Sequence, residues 1–122
     1  MFELSVIKEI SASHQLKNYQ GPCAHLHGHN WKIKVEVATD TLDVAGLSID
    51  FEELDKLLWQ VVGKFDHNHF NAVAPFDSIN PTAENISRYI FEEMGRLLPV
   101  TVHLTKVTLW ENDRYMVSYS AG

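Results

Sequence analysis

The chain is organised around residues 23–37, Cys-Ala-His-Leu-His-Gly-His-Asn-Trp followed by Lys-Ile-Lys-Val-Glu-Val. From Trp31 onward, apolar side chains alternate with polar ones, which predicts a β-strand with one buried face over residues 31–37. If this strand extends back without a bulge, His27 and His29 lie on the same side as Trp31.

The histidines of this stretch predict a metal site. His25, His27 and His29 are spaced two residues apart, so their imidazoles can project from one face of an extended strand. Neutral imidazole is the commonest transition-metal ligand. His27 and His29 form the core of the predicted site, and spacing leaves open whether His14 or His25 is the third ligand. Three imidazoles without clustered thiolates are typical of catalytic zinc, which keeps one position for water or substrate.

Cys23 lies at the edge of this predicted site, four residues before His27. A nearby cation favours the thiolate form of cysteine, which can act as a base or a nucleophile. The alternative is a small buried apolar residue, which is common for a single cysteine. The adjacent Pro22 and the polar loop before it favour an exposed, reactive thiol.

Two further positions carry candidate chemistry. In Asp66-His67, the aspartate carboxylate can fix the tautomer of the imidazole and stabilise its cationic form, which suits general acid–base catalysis. His69 could take the place of His67 in this role. Glu111 follows the apolar run that ends at Trp110, where a solvated turn residue is the default interpretation. The functional alternative is bidentate recognition of a ligand with two parallel N–H donors.

Composition limits the class of protein. A chain of 122 residues predicts one domain, residues 1–122, and its hydrophobic content of 45% and charged content of 21% are ordinary. The net charge of −6 argues against nucleic acid as a partner. A single cysteine excludes an intrachain disulfide framework and fits a reducing cytosol. Neither a signal peptide nor an apolar run of about 20 residues is apparent, so we expect a cytoplasmic protein without a membrane partner.

The remaining pattern predicts an α+β domain. Strands are predicted over 2–12, 31–37, 101–110 and 114–120, the last two joined by a tight turn at Asn112-Asp113, with 47–49 as a short additional candidate. Helices are predicted to begin at the N-cap residues Asp50 and Thr82. We expect an antiparallel four-stranded sheet with both helices on one face. An apolar second face would need covering, which predicts an oligomer.

As an ordered set, these motifs resemble the 6-pyruvoyl-tetrahydropterin synthase superfamily, and especially its 6-carboxy-5,6,7,8-tetrahydropterin synthase branch. The similarity covers nearly the whole chain and rests on Ser13-His14, Cys23-x3-His27-Gly28-His29-Asn30, Ile49-Asp50-Phe51, Phe65-Asp66-His67, Asn80-Pro81-Thr82-Ala83-Glu84-Asn85 and Leu109-Trp110-Glu111. The three-residue gap between Cys23 and His27 resembles the carboxy branch, since pyruvoyl-type enzymes generally have a longer gap.

The resemblance implies the tunnelling fold, in which subunits join their sheets into a barrel and usually form a homohexamer, with the active site near a subunit interface. It implies zinc ligands at His14, His27 and His29 and leaves His25 as a non-ligand. It assigns Cys23 as the catalytic proton acceptor. It also implies that His67 and Glu111 form a charge relay and that Asp66 orients His67. Glu111 would in addition anchor the pterin ring. The extra His69 departs from the usual pattern.

The implied reaction belongs to queuosine (7-deazapurine) biosynthesis. It converts 7,8-dihydroneopterin triphosphate to 6-carboxy-5,6,7,8-tetrahydropterin, acetaldehyde and triphosphate, with zinc stabilising the enolate that proton removal creates. The alternatives are a pyruvoyl-type synthase, a side-chain-cleaving variant of the same fold, and a non-catalytic metal-binding protein. The residues that would bind the triphosphate are not identifiable from the sequence.

Overall fold

A computed structural model describes residues 1–18, 20–21 and 24–122. Within this part of the chain, five strands form one sheet in the order β3-β1-β2-β4-β5. The elements are β1 (Phe2–His14), β2 (His27–Thr39), α1 (Phe51–Val62), β3 (Asn68–His69), α2 (Ala83–Leu97), β4 (His103–Trp110) and β5 (Met116–Tyr119). The α+β class, the four antiparallel strands and the two helices of the sequence analysis are confirmed.

The long pair β1 and β2 forms the centre of the sheet. The strands run antiparallel without a register shift from Phe2 opposite Thr39 to His14 opposite His27. The alternating side chains of β2 bury Trp31, Ile33, Val35 and Val37 completely. The prediction that His27 and His29 lie on the same side of the strand as Trp31 is confirmed, because β2 begins at His27 and its side chains alternate between the two faces.

Both helices begin at the predicted caps. The Asp50 side chain accepts a hydrogen bond from the backbone N–H of Glu52, and the Thr82 hydroxyl accepts one from Asn85. The apolar residues of α1 between Leu54 and Val62 are buried against the core. Phe51, the first residue of the helix, is 60% exposed. α1 packs on β1, and α2 packs on β4 and β5, so the helices cover one sheet face.

Three details differ from the sequence prediction. Residues 47–49 form no strand; instead, the Asp43 carboxylate accepts hydrogen bonds from the Ala45 and Leu47 backbone and folds the segment into a turn. The fifth strand is β3, which pairs parallel with the end of β1. The turn between β4 and β5 spans residues 111–115, with the Glu111 N–H donating to the Tyr115 carbonyl.

The sheet face away from the helices is largely polar. Lys32, Lys34 and Glu36 of β2 project there, and the Lys32 ammonium lies 4.3 Å from the centre of the Trp110 ring. Thr108 shares a 2.9 Å hydroxyl contact with Ser118 on the same face. Ile7 and Met116 are exposed apolar residues on this face, and the oligomer stays a prediction. Among the described residues, no helix is long and apolar enough to cross a membrane.

Candidate metal centre and adjoining cleft

Three imidazoles meet where β1 ends and β2 begins. His14 lies opposite His27 in the ladder, and His29 lies opposite Ala12. One nitrogen from each of the three rings lies within 4.8 Å of the other two. His14 therefore joins His27 and His29, whereas His25 is exposed in the preceding turn and does not belong to the group.

Backbone carbonyls fix the orientation of two of these rings. The Nδ1 of His14 lies 2.8 Å from the Pro81 carbonyl, and the Nδ1 of His27 lies 2.7 Å from the His25 carbonyl. Because a carbonyl oxygen only accepts, each Nδ1 carries the proton and each Nε2 presents a lone pair. These two Nε2 atoms face one another at 2.8 Å. Two facing lone pairs repel, so the arrangement favours a cation between them.

The third imidazole has an unsatisfied nitrogen. His29 Nε2 is buried and has no hydrogen-bond partner in the described part of the chain. Buried polar atoms are normally paired, and an orphaned one at this position is the signature expected of a metal ligand without its ion. Glu111 lies beside the group, with its carboxylate oxygens 4.0 Å from His14 Nε2 and His29 Nε2. This distance is too long for a hydrogen bond, and it places a negative charge next to the candidate cation position.

The donor set fits zinc. A tetrahedral zinc ion about 2.1 Å from each nitrogen separates the ligand atoms by roughly 3.4 Å, which falls within the range seen here. Backbone carbonyls bonded to Nδ1 are the outer partners that orient metal-binding histidines. Three imidazoles leave a fourth position for a ligand, so the site can hold a metal and still bind a small molecule.

Burial favours the neutral form of His14 and His29. Desolvation lowers the pKa of His14 to about 4, and it lowers the pKa of His29 against the opposing effect of Glu111. The apolar floor of the site is Trp31, whose ring centre lies 4.8 Å from that of His14 and 5.0 Å from that of His29. Neutral imidazole is the form that binds metal.

Asp66 and His67 form a second cluster beside β1. One Asp66 oxygen accepts the Ser11 backbone N–H at 2.9 Å, and the other lies 3.1 Å from His67 Nδ1. The Ser11 bond is the main reason that the pKa of Asp66 lies below its usual value. Because the carboxylate accepts from Nδ1, the Nε2 of His67 is left as a base. His67 has a left-handed backbone, φ 58°, and an exposed ring.

A polar cleft of about 620 Å³ lies beside this second cluster. It is lined by His67 together with Ser11, Ala12, Ser13, Gly28, His29, Asn30, Asn68 and His69, and the Ser11, Ser13 and Asn30 side chains project from the sheet face opposite to that of Trp31. Sequence reasoning missed the serines and Asn30, because only the pairing of β1 with β2 and β3 brings them together. It also missed the Pro81 and His25 carbonyls, since any residue supplies a carbonyl and no side-chain signal marks them.

Cys23 and Glu111 are the two remaining predicted site residues. Cys23 lies outside the described residues, so its proposed role stays a prediction. Glu111 reaches the histidines from the end of β4, and it also lines a separate cavity of about 230 Å³ with Glu84 and Tyr115. Glu111 lies in the turn after β4, and its side chain is 21% exposed, so it is only partly solvated.

Comparison with known proteins places this fold and site in one class. The sequence model described as 6-pyruvoyl tetrahydropterin synthase matches residues 3–122. A solved 6-pyruvoyl tetrahydropterin synthase of Caenorhabditis elegans superposes with a TM-score of 0.88 at 25% identity, covering 99% of this chain and 96% of that one. The chain belongs to the 6-pyruvoyl tetrahydropterin synthase family.

Two curated relatives carry different activity names. The 6-carboxy-5,6,7,8-tetrahydropterin synthase of Bacillus subtilis is 33% identical over 102 residues, covering 80% of this chain and 68% of that protein. The dihydroneopterin monophosphate aldolase of Pyrococcus furiosus is 35% identical over 92 residues, covering 75% of each chain. The family resemblance of the sequence analysis is therefore confirmed.

The first prediction concerns metal content. His27→Ala should reduce bound zinc from about one ion per chain to nearly none, because two imidazoles hold zinc far more weakly than three. His25→Ala is the matched control and should retain the metal. Elemental analysis after dialysis measures both; equal loss in the two variants would contradict the assignment of His14 as third ligand.

The second prediction concerns pH and the metal-free chain. His14 has a pKa of about 4 when folded and 6.5 as a free imidazole, so between these values the unfolded state binds more protons. The free energy of unfolding should therefore fall by up to ~3 kcal/mol as the pH drops from 6.5 to 4. Urea unfolding at several pH values, in the presence of a chelator, measures the slope of the free energy of unfolding against pH. In His14→Gln the slope should become shallower, and an unchanged slope would refute the role of His14.

Proposed function

We propose that the chain is a zinc-dependent synthase that converts 7,8-dihydroneopterin triphosphate to 6-carboxy-5,6,7,8-tetrahydropterin, acetaldehyde and triphosphate in queuosine biosynthesis. The relative named for the carboxypterin product supports this branch. The observation that carries the proposal is the convergence of His14, His27 and His29, with two lone pairs facing each other at 2.8 Å.

The three imidazoles supply the electrophilic part of the site. Zinc held by His14, His27 and His29 would supply a Lewis acid for negative charge on the oxygens of the substrate side chain. Burial against Trp31 favours the neutral form of His14 and His29, and the Pro81 and His25 carbonyls orient His14 and His27.

Cys23 and His67 are the proposed proton-transfer residues. Cys23 precedes the metal-binding strand by four residues and accepts the carbon-bound proton as a thiolate. His67 moves protons through its Nε2, because Asp66 holds the opposite nitrogen. His67 is anchored to Ser11 of β1, the strand that ends at His14.

Glu111 is the proposed anchor for the pterin ring. A carboxylate can accept two parallel N–H bonds from the amino-pyrimidine edge, and Glu111 has a backbone fixed at the end of β4. Its oxygens lie 4.0 Å from two of the candidate ligands, which brings a ring held there close to the metal position. Fixing the ring orients the side chain for proton removal. A charge-relay role alongside His67 is also part of the proposal.

The assembly and location of the protein are also proposals. A homohexamer with the active site near a subunit interface follows from the family resemblance, and so does a cytoplasmic location. The relative named dihydroneopterin monophosphate aldolase favours a second candidate function, cleavage of the side chain without a carboxypterin product. A 6-pyruvoyl-type synthase and a non-catalytic metal-binding protein are two more candidate functions, and the next two experiments distinguish them from the carboxypterin synthase.

The third prediction identifies the product. Incubation of the zinc-loaded protein with 7,8-dihydroneopterin triphosphate should yield acetaldehyde and 6-carboxy-5,6,7,8-tetrahydropterin, detected by mass spectrometry. A pyruvoyl product would overturn the branch assignment. A hydroxymethylpterin, formed more readily from the monophosphate, would instead identify an aldolase.

The fourth prediction separates an enzyme from a metal carrier. Cys23→Ala should lower kcat by roughly 10²–10⁴-fold, because it removes the proton acceptor, and should leave zinc content unchanged. His103→Ala, on the exposed side of β4, is the control and should leave kcat unchanged. Full turnover by Cys23→Ala, with the metal bound, would rule out the thiol mechanism.

A further inference from the structure

Tyr115 is a large aromatic residue whose position the packing of the core does not explain. It lies at the end of the turn between β4 and β5, is 55% exposed, and is outside the described hydrophobic core. It lines the cavity of about 230 Å³ that Glu111 also lines. An exposed aromatic ring on a cavity wall is available to a ligand.

Strand pairing places the Tyr115 and Glu111 side chains next to each other. The ladder between β4 and β5 pairs Trp110 with Met116, and one step further the Glu111 N–H donates to the Tyr115 carbonyl at 3.0 Å. Glu111 and Tyr115 are therefore cross-strand neighbours. The side chains of such neighbours project from the same side of the hairpin, with their Cβ atoms about 5 Å apart.

This side of the hairpin belongs to the sheet face that carries the histidine group. Glu111 follows Leu109 by two residues and so shares its face, and Leu109 lies opposite Ile33 of β2. Ile33 alternates in phase with Trp31 and is buried with it. The Glu111 carboxylate oxygens lie 4.0 Å from ring nitrogens of two of the histidines. A ligand in the cavity therefore lies on the same face as the candidate metal position.

Hydrogen bonds within the turn hold Tyr115 beside Glu111. The Asn112 side-chain oxygen accepts from the Arg114 backbone N–H at 2.8 Å and from the Tyr115 backbone N–H at 2.9 Å. The Arg114 guanidinium donates to the Tyr115 hydroxyl at 2.9 Å. A side chain that is already held in place loses less freedom when a ligand packs against it.

The lining of the cavity indicates the kind of ligand that fits it. The carboxylates of Glu84 and Glu111 both line it, and ionised carboxylates only accept hydrogen bonds, so they favour a ligand edge with N–H donors. Tyr115 adds an aromatic surface, on which flat heterocycles stack. A flat heteroaromatic ring with N–H donors along one edge matches both features.

We propose that Tyr115 is a ligand-contacting residue that stacks on the pterin ring whose amino-pyrimidine edge is bound by Glu111. Asn112 and Arg114 are its positioning residues. This inference rests on the proposed function, and it deepens it by assigning the flat face of the ring, as well as its edge, to residues of the turn after β4.

The test measures binding of 7,8-dihydropterin to the zinc-loaded protein by isothermal titration. Tyr115→Leu should weaken binding about tenfold, because the stacking surface is lost. Tyr115→Phe keeps the ring and loses only the hydroxyl, so its affinity should stay within about threefold of the wild type. Trp59→Leu removes a half-exposed aromatic side chain from α1 and is the matched control, which should bind like the wild type.

A second measurement separates stacking from an indirect structural effect. Stacked rings weaken each other's ultraviolet absorption, so the absorption band of bound 7,8-dihydropterin should be weaker on the wild type and Tyr115→Phe than on Tyr115→Leu. Zinc content and the midpoint of thermal unfolding are measured for each variant. Both should be unchanged, because Tyr115 lies outside the described core.

Glu111→Gln distinguishes this inference from the function on which it rests, since it removes the proposed anchor and should weaken binding strongly. If Tyr115→Leu binds like the wild type while Glu111→Gln loses affinity, the inference is refuted and the proposed anchor stands. If Tyr115→Phe binds as weakly as Tyr115→Leu, the hydroxyl rather than the ring matters, and stacking is refuted. Failure of the wild type to bind 7,8-dihydropterin would refute the proposed function and this inference together.

Discussion

The register between β1 and β2 is the constraint on which the site depends. Their ladder places His14 opposite His27 and Ala12 opposite His29, at the end of thirteen paired residues. Because side chains alternate with a period of two, a slip of one residue would turn the His14 imidazole away from its partners. The register is specified by the buried apolar face from Trp31 to Val37, so the packing of the core also assembles the metal site.

The facing imidazole nitrogens of His14 and His27 favour a cation at the histidine group. Pro81 and His25 accept the Nδ1 protons of His14 and His27, which forces two lone pairs together at 2.8 Å. Protonation of His14 would relieve this repulsion, but burial lowers its pKa to about 4. A divalent cation can satisfy the lone pairs while Glu111 offsets its charge from 4.0 Å. Stability is given up locally in a site prepared for a metal.

The short strand β3 connects the metal centre to acid–base groups. Its pairing with β1 brings His69 beside Ser13. In the residues that precede β3, the His67 backbone N–H donates to the Ser11 carbonyl at 2.6 Å, and the Ser11 backbone N–H donates to the Asp66 carboxylate. These contacts anchor a loop residue with a left-handed backbone, His67, to the most regular part of the sheet. The end of β1 that carries His14 is therefore also the place where His67 and His69 are anchored.

The sequence by itself determined the local features of this protein. Alternation over Trp31 to Val37 predicted the strand and its buried face, and Asp50 and Thr82 predicted both helix starts, because these signals act within one element. Spacing in the sequence left the third histidine open, and only the family resemblance favoured His14. The tertiary structure decided it, since the distances of His14 and His25 to His27 depend on strand pairing. The same holds for Glu111, which reaches the site from β4, and for β3, whose two residues are too few to show a period.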